Sequence, residues 1–336
     1  MRDALNRLYS IDANPAPPGA EVVRLTTTDG LALRAAVFRP ANPRASVVIL
    51  QGRSEYIERY FETIGELMQR GFAVVAFDWR GQGGSMRELS DPMKGHVDDF
   101  LLYLRDLDAV LTFIGASDLP RPCFGLAHSM GGAVLALALN HGEQRLARAV
   151  VTAPMLGIYH APTGGWGHIA ARLLNVVGLG GQYVPVTSPQ TATAFAPFED
   201  NVLTSDPERH ERSVAILTAA PELAVGAPTI SWVAAAFRLI GDFNNPEFGL
   251  RFACPLLLVL AGGDRVVDTP AAERFALRAR GASTVTLTGA QHEILMERDV
   301  FRAEFWAAFD AFVPHCQPGE EPGLSAETSD ASPVSG

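Results

Sequence analysis

Cysteine, basic charge and long apolar runs are all scarce in this sequence. Its 336 residues include three cysteines, Cys123, Cys254 and Cys316, an odd number without regular spacing. Cys123 and Cys254 each begin an apolar run, so we expect buried free thiols and a reducing, cytoplasmic setting. No apolar run reaches the length of a membrane span, and residues 1–20 lack the basic and apolar blocks of a secretory signal.

Acidic residues outnumber basic ones, 37 to 27, which gives a formal net charge of −10. We therefore expect no nucleic-acid partner and no charge-driven docking on anionic lipid, which leaves at most a transient contact with a membrane surface. The glycine-rich stretch 78–85 lacks both the G-x-G-x-x-G arrangement and the lysine of nucleotide sites, so we expect a rigid supporting loop. His96 has no histidine partner at metal-ligand spacing. Neither a metal nor a cofactor is expected.

Apolar runs typical of strands buried on both faces alternate along the chain with helical patterns. An Asp29-Gly30 turn joins two predicted strands, 21–28 and 31–38, into a hairpin. Further strands are predicted at 46–50, 72–77, 122–126, 148–152, 255–260 and 283–287, and helices at about 61–68, 97–114, 133–139, 270–279 and 298–312. This alternation is typical of an α/β protein with a mostly parallel, doubly wound sheet.

The alternation is interrupted between residues 153 and 250, where glycine, proline and large apolar residues are frequent. Short helical patterns at 168–177 and 231–240 predict a helical cap inserted between two strands of the sheet. Residues 1–152 and 251–315 then form the core. Residues 316–336 contain almost no apolar side chain and are expected to form a loose tail.

Ser129 stands where a short apolar strand meets an apolar helix. This context predicts a nucleophile elbow, a sharp strand-to-helix turn that exposes a serine hydroxyl above the sheet. Ala127 replaces the first glycine of the G-x-S-x-G pattern, which adds a single methyl group. The alternative is a serine that only caps the helix, but the apolar sequence on both sides favours the nucleophile.

A serine nucleophile needs a base, and the base needs an orienting carboxylate. Asp264 lies in a turn after one late strand and His292 in a turn after the last strand, so both stand at carboxyl ends of strands. Asp268 is the alternative acid, although it also fits a cap of the next helix. His128 is the alternative base, but neighbouring side chains on a sharp turn diverge. The sequence predicts Ser129, Asp264 and His292 as catalytic residues.

Two backbone N–H groups are expected to stabilise the oxyanion of the reaction. Met130, which follows the nucleophile, supplies one, and Arg53, in the loop after the first parallel strand, supplies the other. Gly52 allows close approach of the backbone. The guanidinium of Arg53 need not contact the oxyanion, and an ion pair with Glu55 or Glu58 is an equal alternative for it.

Seven segments stand out as motifs: QGRSEYIERY (51–60), DWRGQGGS (78–85), KGHVDDF (94–100), AHSMGG (127–132), TAPM (152–155), NVLTSD (201–206) and GAQHEIL (289–295). In combination they resemble the bacterial lysophospholipase L2 family and, less closely, the monoacylglycerol lipases of the same serine-hydrolase group. The chain differs from the lipases at Gln51, where they have histidine, and at Ala127, where they have glycine. The resemblance spans about residues 21–312.

This resemblance implies an α/β-hydrolase fold with a helical cap, ester hydrolysis, and acyl chains bound beneath the cap. It also implies the same site residues: Ser129 as nucleophile, Asp264 as acid, His292 as base, and Arg53 with Met130 as oxyanion donors. We therefore expect a carboxylic-ester hydrolase, with a lysophospholipid as the favoured small-molecule substrate. A monoacylglycerol lipase, a general carboxylesterase, a lipid acyltransferase and a lipid-binding protein without catalysis are the alternatives.

Overall fold

The computed structural model describes residues 4–160, 166–184 and 197–314. Its strands are β1 (Glu21–Thr26), β2 (Ala32–Phe38), β3 (Ala45–Leu50), β4 (Phe72–Phe77), β5 (Cys123–His128), β6 (Arg148–Thr152), β7 (Leu256–Ala261) and β8 (Ala282–Leu287). Its α-helices are α1 (Phe61–Gln69), α2 (Leu101–Ala116), α3 (Met130–Asn140), α4 (Trp166–Leu174), α5 (Pro207–Ala219), α6 (Ile230–Phe243), α7 (Thr269–Ala276) and α8 (Asp299–Phe312).

The strands form one sheet in the order β1-β2-β4-β3-β5-β6-β7-β8. The hairpin partners β1 and β2 are antiparallel, as are β2 and β4, whereas every pair from β4 to β8 is parallel. Strands β3, β4, β5 and β7 are buried along their whole length, which is why most of their residues are apolar. The predicted hairpin and the mostly parallel sheet of an α/β-hydrolase are confirmed.

Helix α2 begins at Leu101, so the predicted start near residue 97 is wrong. The carboxylate of Asp99 accepts a hydrogen bond of 3.0 Å from the Leu101 N–H group, which satisfies a donor at the first turn. Val97 and Phe100 belong to the hydrophobic core although they precede the helix. Their apolar character extended the helical pattern toward the N-terminus of the chain.

The segment between β6 and β7 contains α4, α5 and α6. Helices α4 and α6 confirm the patterns at 168–177 and 231–240, whereas α5 was not predicted. Ion pairs join helix α5 to two other helices. Arg209 of α5 pairs with Glu62 of α1 at 2.6 Å and with Asp299 of α8 at 2.7 Å. The division into core and cap stays a prediction, and the predicted tail at 316–336 lies outside the described residues.

Cys123 and Cys254 are buried free thiols, as expected from the sequence, and Cys316 lies outside the described residues. Over the described ranges, no helix combines the length and the apolarity that a bilayer crossing requires. The parallel strands end at one edge of the sheet, where loops follow β3, β5, β7 and β8. In open α/β sheets this edge is where ligands bind.

Candidate active site

Ser129 occupies the turn between β5 and α3 with φ 48° and ψ −114°. Residues other than glycine rarely adopt this backbone conformation. It costs roughly 1–3 kcal/mol, so the surrounding structure must stabilise it. The Ser129 N–H group donates to the carbonyl of Thr152 at 3.0 Å, and the Ser129 carbonyl accepts from Met155 at 3.1 Å. These bonds tie the turn to the end of β6, so the serine side chain stands at the carboxyl edge of the sheet.

Two glycines after the serine allow the helix to start this close to the sheet. A Cβ atom on Gly131 would overlap the carbonyl oxygen of Leu50, and one on Gly132 would overlap the side chain of Val151. Ala127 is fully buried within β5, so its methyl group is accommodated. The sharp turn predicted from the sequence is present, and glycine is required after the serine rather than before it.

His292 joins Ser129 to Asp264. Its Nε2 lies 3.0 Å from Ser129 Oγ, and its Nδ1 lies 2.8 Å from Asp264 Oδ2. An imidazole that donates from Nδ1 to a carboxylate has Nε2 free to accept the serine proton. All three side chains are buried. The structure therefore brings together the serine, histidine and aspartate that the sequence singled out, in loops that follow β5, β8 and β7.

Asp264 remains ionised in this setting. Burial acts to raise the pKa of Asp264, but the hydrogen bond from His292 and two backbone N–H groups outweigh it and lower that pKa. The backbone donors are Val266 at 2.7 Å and Val267 at 2.9 Å, both to Oδ1. Asp268, the alternative acid, caps α7 by accepting a hydrogen bond from the Ala271 N–H group at 3.3 Å. Its capping role is the one that its sequence context suggested.

His128 does not contact the serine hydroxyl through either ring nitrogen. Its Nδ1 lies 3.0 Å from Thr152 Oγ1, and its Nε2 lies 3.6 Å from the carboxylate of Glu55. Burial and the neighbouring His292 lower the pKa of His128 to about 3, so this ring is neutral at physiological pH. As expected, the side chains of His128 and Ser129 diverge.

Two backbone N–H groups of the loop of residues 51–54, which follows β3, are bonded to side chains. The Gly52 N–H group donates to Glu55 Oε2, and the Ser54 N–H group donates to Gln82 Oε1 at 3.0 Å. Between them, the N–H group of Arg53 has no acceptor in the described part of the chain, and the same holds for Met130. Both predicted oxyanion donors are therefore available to a ligand.

A cavity of about 220 Å³ opens beside the Ser129 hydroxyl. Its polar wall contains the serine, both histidines, Glu55, Glu293, Gly52 and Arg53. Its remaining wall is apolar: Met155, Ile158, Leu203, Trp232, Val266 and Val267. The arrangement combines a hydroxyl held by an imidazole, two available N–H donors and an apolar chamber. Such a site is suited to acyl transfer from an ester with an apolar chain.

A family model described as "Serine aminopeptidase, S33" matches residues 41–299. The chain belongs to this family of α/β-hydrolases. It is 34% identical to lysophospholipase L2 of Escherichia coli K12 over 87% of this chain and 87% of that protein. It is 26% identical to human monoglyceride lipase over 76% of this chain and 77% of that one. The protein is a serine hydrolase, as the resemblance of its motifs implied.

Solved structures of low sequence identity share the fold of this hydrolase. A soluble variant of monoglyceride lipase from Saccharomyces cerevisiae superposes with a TM-score of 0.70 at 18% identity, covering 91% of this chain and 98% of that chain. A thermostable carboxyl esterase from Bacillus coagulans also gives 0.70, at 17% identity, and covers 87% and 97% of the two chains. The α/β-hydrolase fold is thus shared along nearly the whole length of both.

The glycine-rich stretch 78–85 braces the 51–54 loop of the hydrolase. Gln82 donates from Nε2 to the Gly52 carbonyl at 3.0 Å and accepts from Ser54, while Trp79 Nε1 donates to the Gln51 carbonyl at 2.9 Å. The supporting function of this stretch was expected, but Gln82 and Trp79 were not singled out. Their contacts join loops after two different strands, and no local pattern in the sequence reports such a pairing.

Residues 288–297, the histidine loop, are braced by the segment 201–206. The Glu293 N–H group donates to the Leu203 carbonyl at 2.7 Å. The carboxylate of Glu297 accepts from the N–H groups of Ser205 at 3.1 Å and of Gln291 at 2.9 Å. The sequence marked NVLTSD only as a motif of the resemblance, and its contacts show that it holds the loop bearing the imidazole.

The side chain of Arg53 does not pair with either glutamate that the sequence offered, so that alternative is wrong. Glu58 forms an ion pair with Arg34 at 2.7 Å, and Glu55 accepts from Gly52 and, at 2.6 Å, from Tyr60. The sequence did not indicate that Arg34 would pair with Glu58, because Arg34 lies on β2 and reaches Glu58 only in the folded sheet.

Proposed function

We propose that this serine hydrolase is a lysophospholipase that releases the fatty acid of a lysophospholipid through an acyl-enzyme. The observation that carries the proposal is the hydrogen-bonded series from Asp264 through His292 to Ser129 at the mouth of an apolar cavity. The substrate class is supported by the 34% identity to a relative named lysophospholipase L2. An ester with one acyl chain fits an apolar chamber of this size better than a lipid with two chains.

In the proposed mechanism Ser129 Oγ attacks the ester carbonyl while His292 Nε2 accepts its proton. The negative charge moves to the carbonyl oxygen, where the N–H groups of Arg53 and Met130 donate hydrogen bonds to it. His292 then protonates the leaving glycerol oxygen, and Asp264 stabilises the imidazolium throughout. A water molecule repeats the sequence on the acyl-enzyme and releases the fatty acid and the free serine.

The acyl chain is proposed to lie against Met155, Leu203 and Trp232, which line the cavity together with Ile158. Burial of a methylene group contributes about 0.8 kcal/mol, so chain length should govern affinity until the cavity is full. Met155 and Trp232 also belong to the hydrophobic core, as do Leu156 and Ala235 of the same segment.

The sharpest test is a panel of esters that share one acyl chain. Lysophosphatidylcholine, the corresponding monoacylglycerol and a p-nitrophenyl ester are compared by kcat/KM, and products are separated to distinguish free fatty acid from transacylated lipid. We expect the lysophospholipid to be hydrolysed most efficiently, with free fatty acid as the product. Preference for the p-nitrophenyl ester would establish a general carboxylesterase, and transacylated lipid would establish an acyltransferase.

A fluorophosphonate probe separates an enzyme from a lipid-binding protein without catalysis. The wild-type protein should be labelled at Ser129, and the variant Ser129→Ala should not. Failure to label the wild-type protein under conditions that label another serine hydrolase would exclude the proposed mechanism.

We also propose that the enzyme works at the surface of a membrane in a reducing compartment, the inner face in a bacterial cell, with α4 and the turn after it in contact with lipid. Leu173, Val176 and Val177 expose 61%, 79% and 69% of their surfaces, an apolar group that can insert among acyl chains. With a net charge of −10, a zwitterionic surface suits the protein better than an anionic one.

Sedimentation with phosphatidylcholine vesicles tests this contact. The double variant V176D/V177D should bind vesicles at least fivefold more weakly than wild type. The control is Leu277→Asp, at the C-terminal end of α7, where the side chain is 88% exposed, and it should bind as wild type does. Equal binding by all three proteins would refute the contact through α4.

A further inference from the structure

Arg53 brings a positive charge to the wall of the active-site cavity. Its guanidinium donates one hydrogen bond, from Nη1 to the carbonyl of Gly226 at 3.0 Å, and lies 5.6 Å from the ring centre of Trp232. Within the described ranges, no carboxylate forms an ion pair with it. The backbone of Arg53 serves the reaction in the proposed mechanism, but nothing described so far uses this charge.

Buried arginines elsewhere in this protein show how a guanidinium with a purely structural role is hydrogen-bonded. Arg80 binds the carboxylate of Asp106 at 2.7 Å, and Arg59 binds that of Glu293. Arg87 has no carboxylate partner in the described part of the chain but donates to several backbone carbonyls, among them that of Gly83 at 2.8 Å. Among the described residues Arg53 has a single backbone carbonyl acceptor, so most of the donors of its planar group have no protein partner there.

The acidic groups of the cavity wall do not compensate this charge. Glu55 is held by the Gly52 N–H group and the Tyr60 hydroxyl, and Glu293 is paired with Arg59. Burial lowers the pKa of Arg53 to about 10, which still leaves the guanidinium charged at physiological pH. A charge in this position is stabilised when an anion enters the cavity and accepts its hydrogen bonds.

We infer that the Arg53 guanidinium binds the phosphodiester of the substrate and thereby selects lysophospholipids over neutral monoacylglycerols. The inference rests on the proposed function, and it names the residue that reads the head group. Arginine presents a planar fork that fits two phosphate oxygens. In a lysophospholipid the glycerol separates the ester group from the phosphate. In Arg53 the side chain likewise separates the backbone N–H group, which is the proposed oxyanion donor, from the guanidinium.

Kinetics on two substrates with the same acyl chain test the inference. We compare kcat/KM for a lysophosphatidylcholine and for its monoacylglycerol in wild type, Arg53→Gln and Arg53→Lys. The ratio of the two values should fall at least tenfold in R53Q, equivalent to ~1.4 kcal/mol, through a higher KM for the lysophospholipid. R53K keeps the charge without the planar fork and should retain part of the preference.

The control variant is Arg105→Gln, which removes the same charge from an exposed side chain on α2. Its substrate ratio should equal that of wild type. Equal losses on both substrates in R53Q would show that Arg53 only holds the 51–54 loop, and an unchanged ratio would show that the phosphate is bound elsewhere. Either result overturns the inference.

A binding measurement keeps the inference testable if lysophospholipid hydrolysis is not observed. The probes are two ether lipids that cannot be hydrolysed, a 1-O-alkyl-glycero-3-phosphocholine and the matching 1-O-alkylglycerol, each used below its micellar concentration. The phosphate-bearing ether should protect Ser129 of wild type from the fluorophosphonate at a concentration at least tenfold lower than in R53Q, and the neutral ether should protect both equally. Equal protection of wild type and R53Q by the phosphate-bearing ether would refute the role of Arg53, whatever the natural ester is.

Discussion

Gln82 donates a hydrogen bond of 3.0 Å from its side-chain nitrogen to the carbonyl oxygen of Gly52. Its side-chain oxygen accepts from Ser54 at 3.0 Å, so a single amide fixes both neighbours of Arg53. The peptide between these two anchors carries the proposed oxyanion donor. Its orientation is therefore set before substrate binds, which is the condition under which such a donor is effective.

Replacement of Gln82 by Leu should lower kcat by roughly 10- to 100-fold while KM changes by less than about threefold, because only an interaction of the transition state is misplaced. Gln82→Glu keeps the acceptor for Ser54 and loses the donor to Gly52, so an intermediate kcat is expected. Gln69→Leu, at an exposed position on α1, should have wild-type kinetics. A rise in KM with unchanged kcat in Q82L would contradict the assigned role.

Asp264 and Asp268 lie four residues apart and should respond differently to the same substitution. Asp264→Asn should lower kcat by roughly 10³- to 10⁴-fold, because an amide favours the wrong imidazole tautomer of His292. Asp268→Asn should keep kcat within about twofold of wild type, since asparagine also caps helices well. Steady-state hydrolysis of a p-nitrophenyl ester measures both, and comparable losses in the two variants would contradict the assignment of the acid.

Gly131→Ala should destabilise the fold severely or prevent it, because the new methyl group would overlap the Leu50 carbonyl oxygen at the end of β3. A Cβ on Gly241 meets no atom within 4 Å. Gly241→Ala in α6 should therefore stabilise the protein by roughly 0.5–1 kcal/mol through helix propensity. Urea unfolding monitored by tryptophan fluorescence compares the two variants, and wild-type stability in G131A would refute the close approach at the elbow.

His128 should make the protein sensitive to mild acid. Its folded pKa of about 3 is lower than the 6.5 of an exposed histidine, so the unfolded chain binds the extra proton between these values. Stability from this group is present above about pH 6.5 and is lost as the pH falls toward 3, by up to about 1.4 kcal/mol per pH unit.

The difference in unfolding free energy between wild type and His128→Asn isolates this effect, measured by urea unfolding from pH 7 to pH 4.5. Asp106 has the opposite influence, because burial raises its pKa to about 6, but it is common to both proteins and cancels. Wild type should lose stability relative to H128N as the pH falls. A difference that stays constant with pH would show that His128 has the same pKa in the folded and unfolded protein.

The sheet and the central serine were predictable because each is encoded locally. Strands β4 and β7 are apolar throughout, and the turn at Ser129 is marked by its own glycines. Helix α5 was missed for the opposite reason. Its first half is charged, and besides the local Asp206, Arg209 is paired with Glu62 on α1 and Asp299 on α8, two partners that no window of sequence around it contains.

The supports of the site were equally hidden from the sequence. Gln82 acts on Gly52 across a gap of 30 positions, and Glu58 is paired by Arg34 from β2 rather than by Arg53. The role of a side chain that depends only on its own turn can be predicted from the local sequence. Side chains that act by holding another loop become visible only when the strands are placed in their order in the sheet.

The braces between residues 201–206 and the histidine loop limit how far this enzyme can be shortened. An engineered version that joins β6 directly to β7 would keep the nucleophile and the aspartate. It would lose the Leu203 carbonyl and the Ser205 donor that restrain Glu293 and Glu297 within the histidine loop. The segment between β6 and β7 is therefore tied to the loop that carries His292, and it is not a detachable module that can be exchanged without regard to that loop.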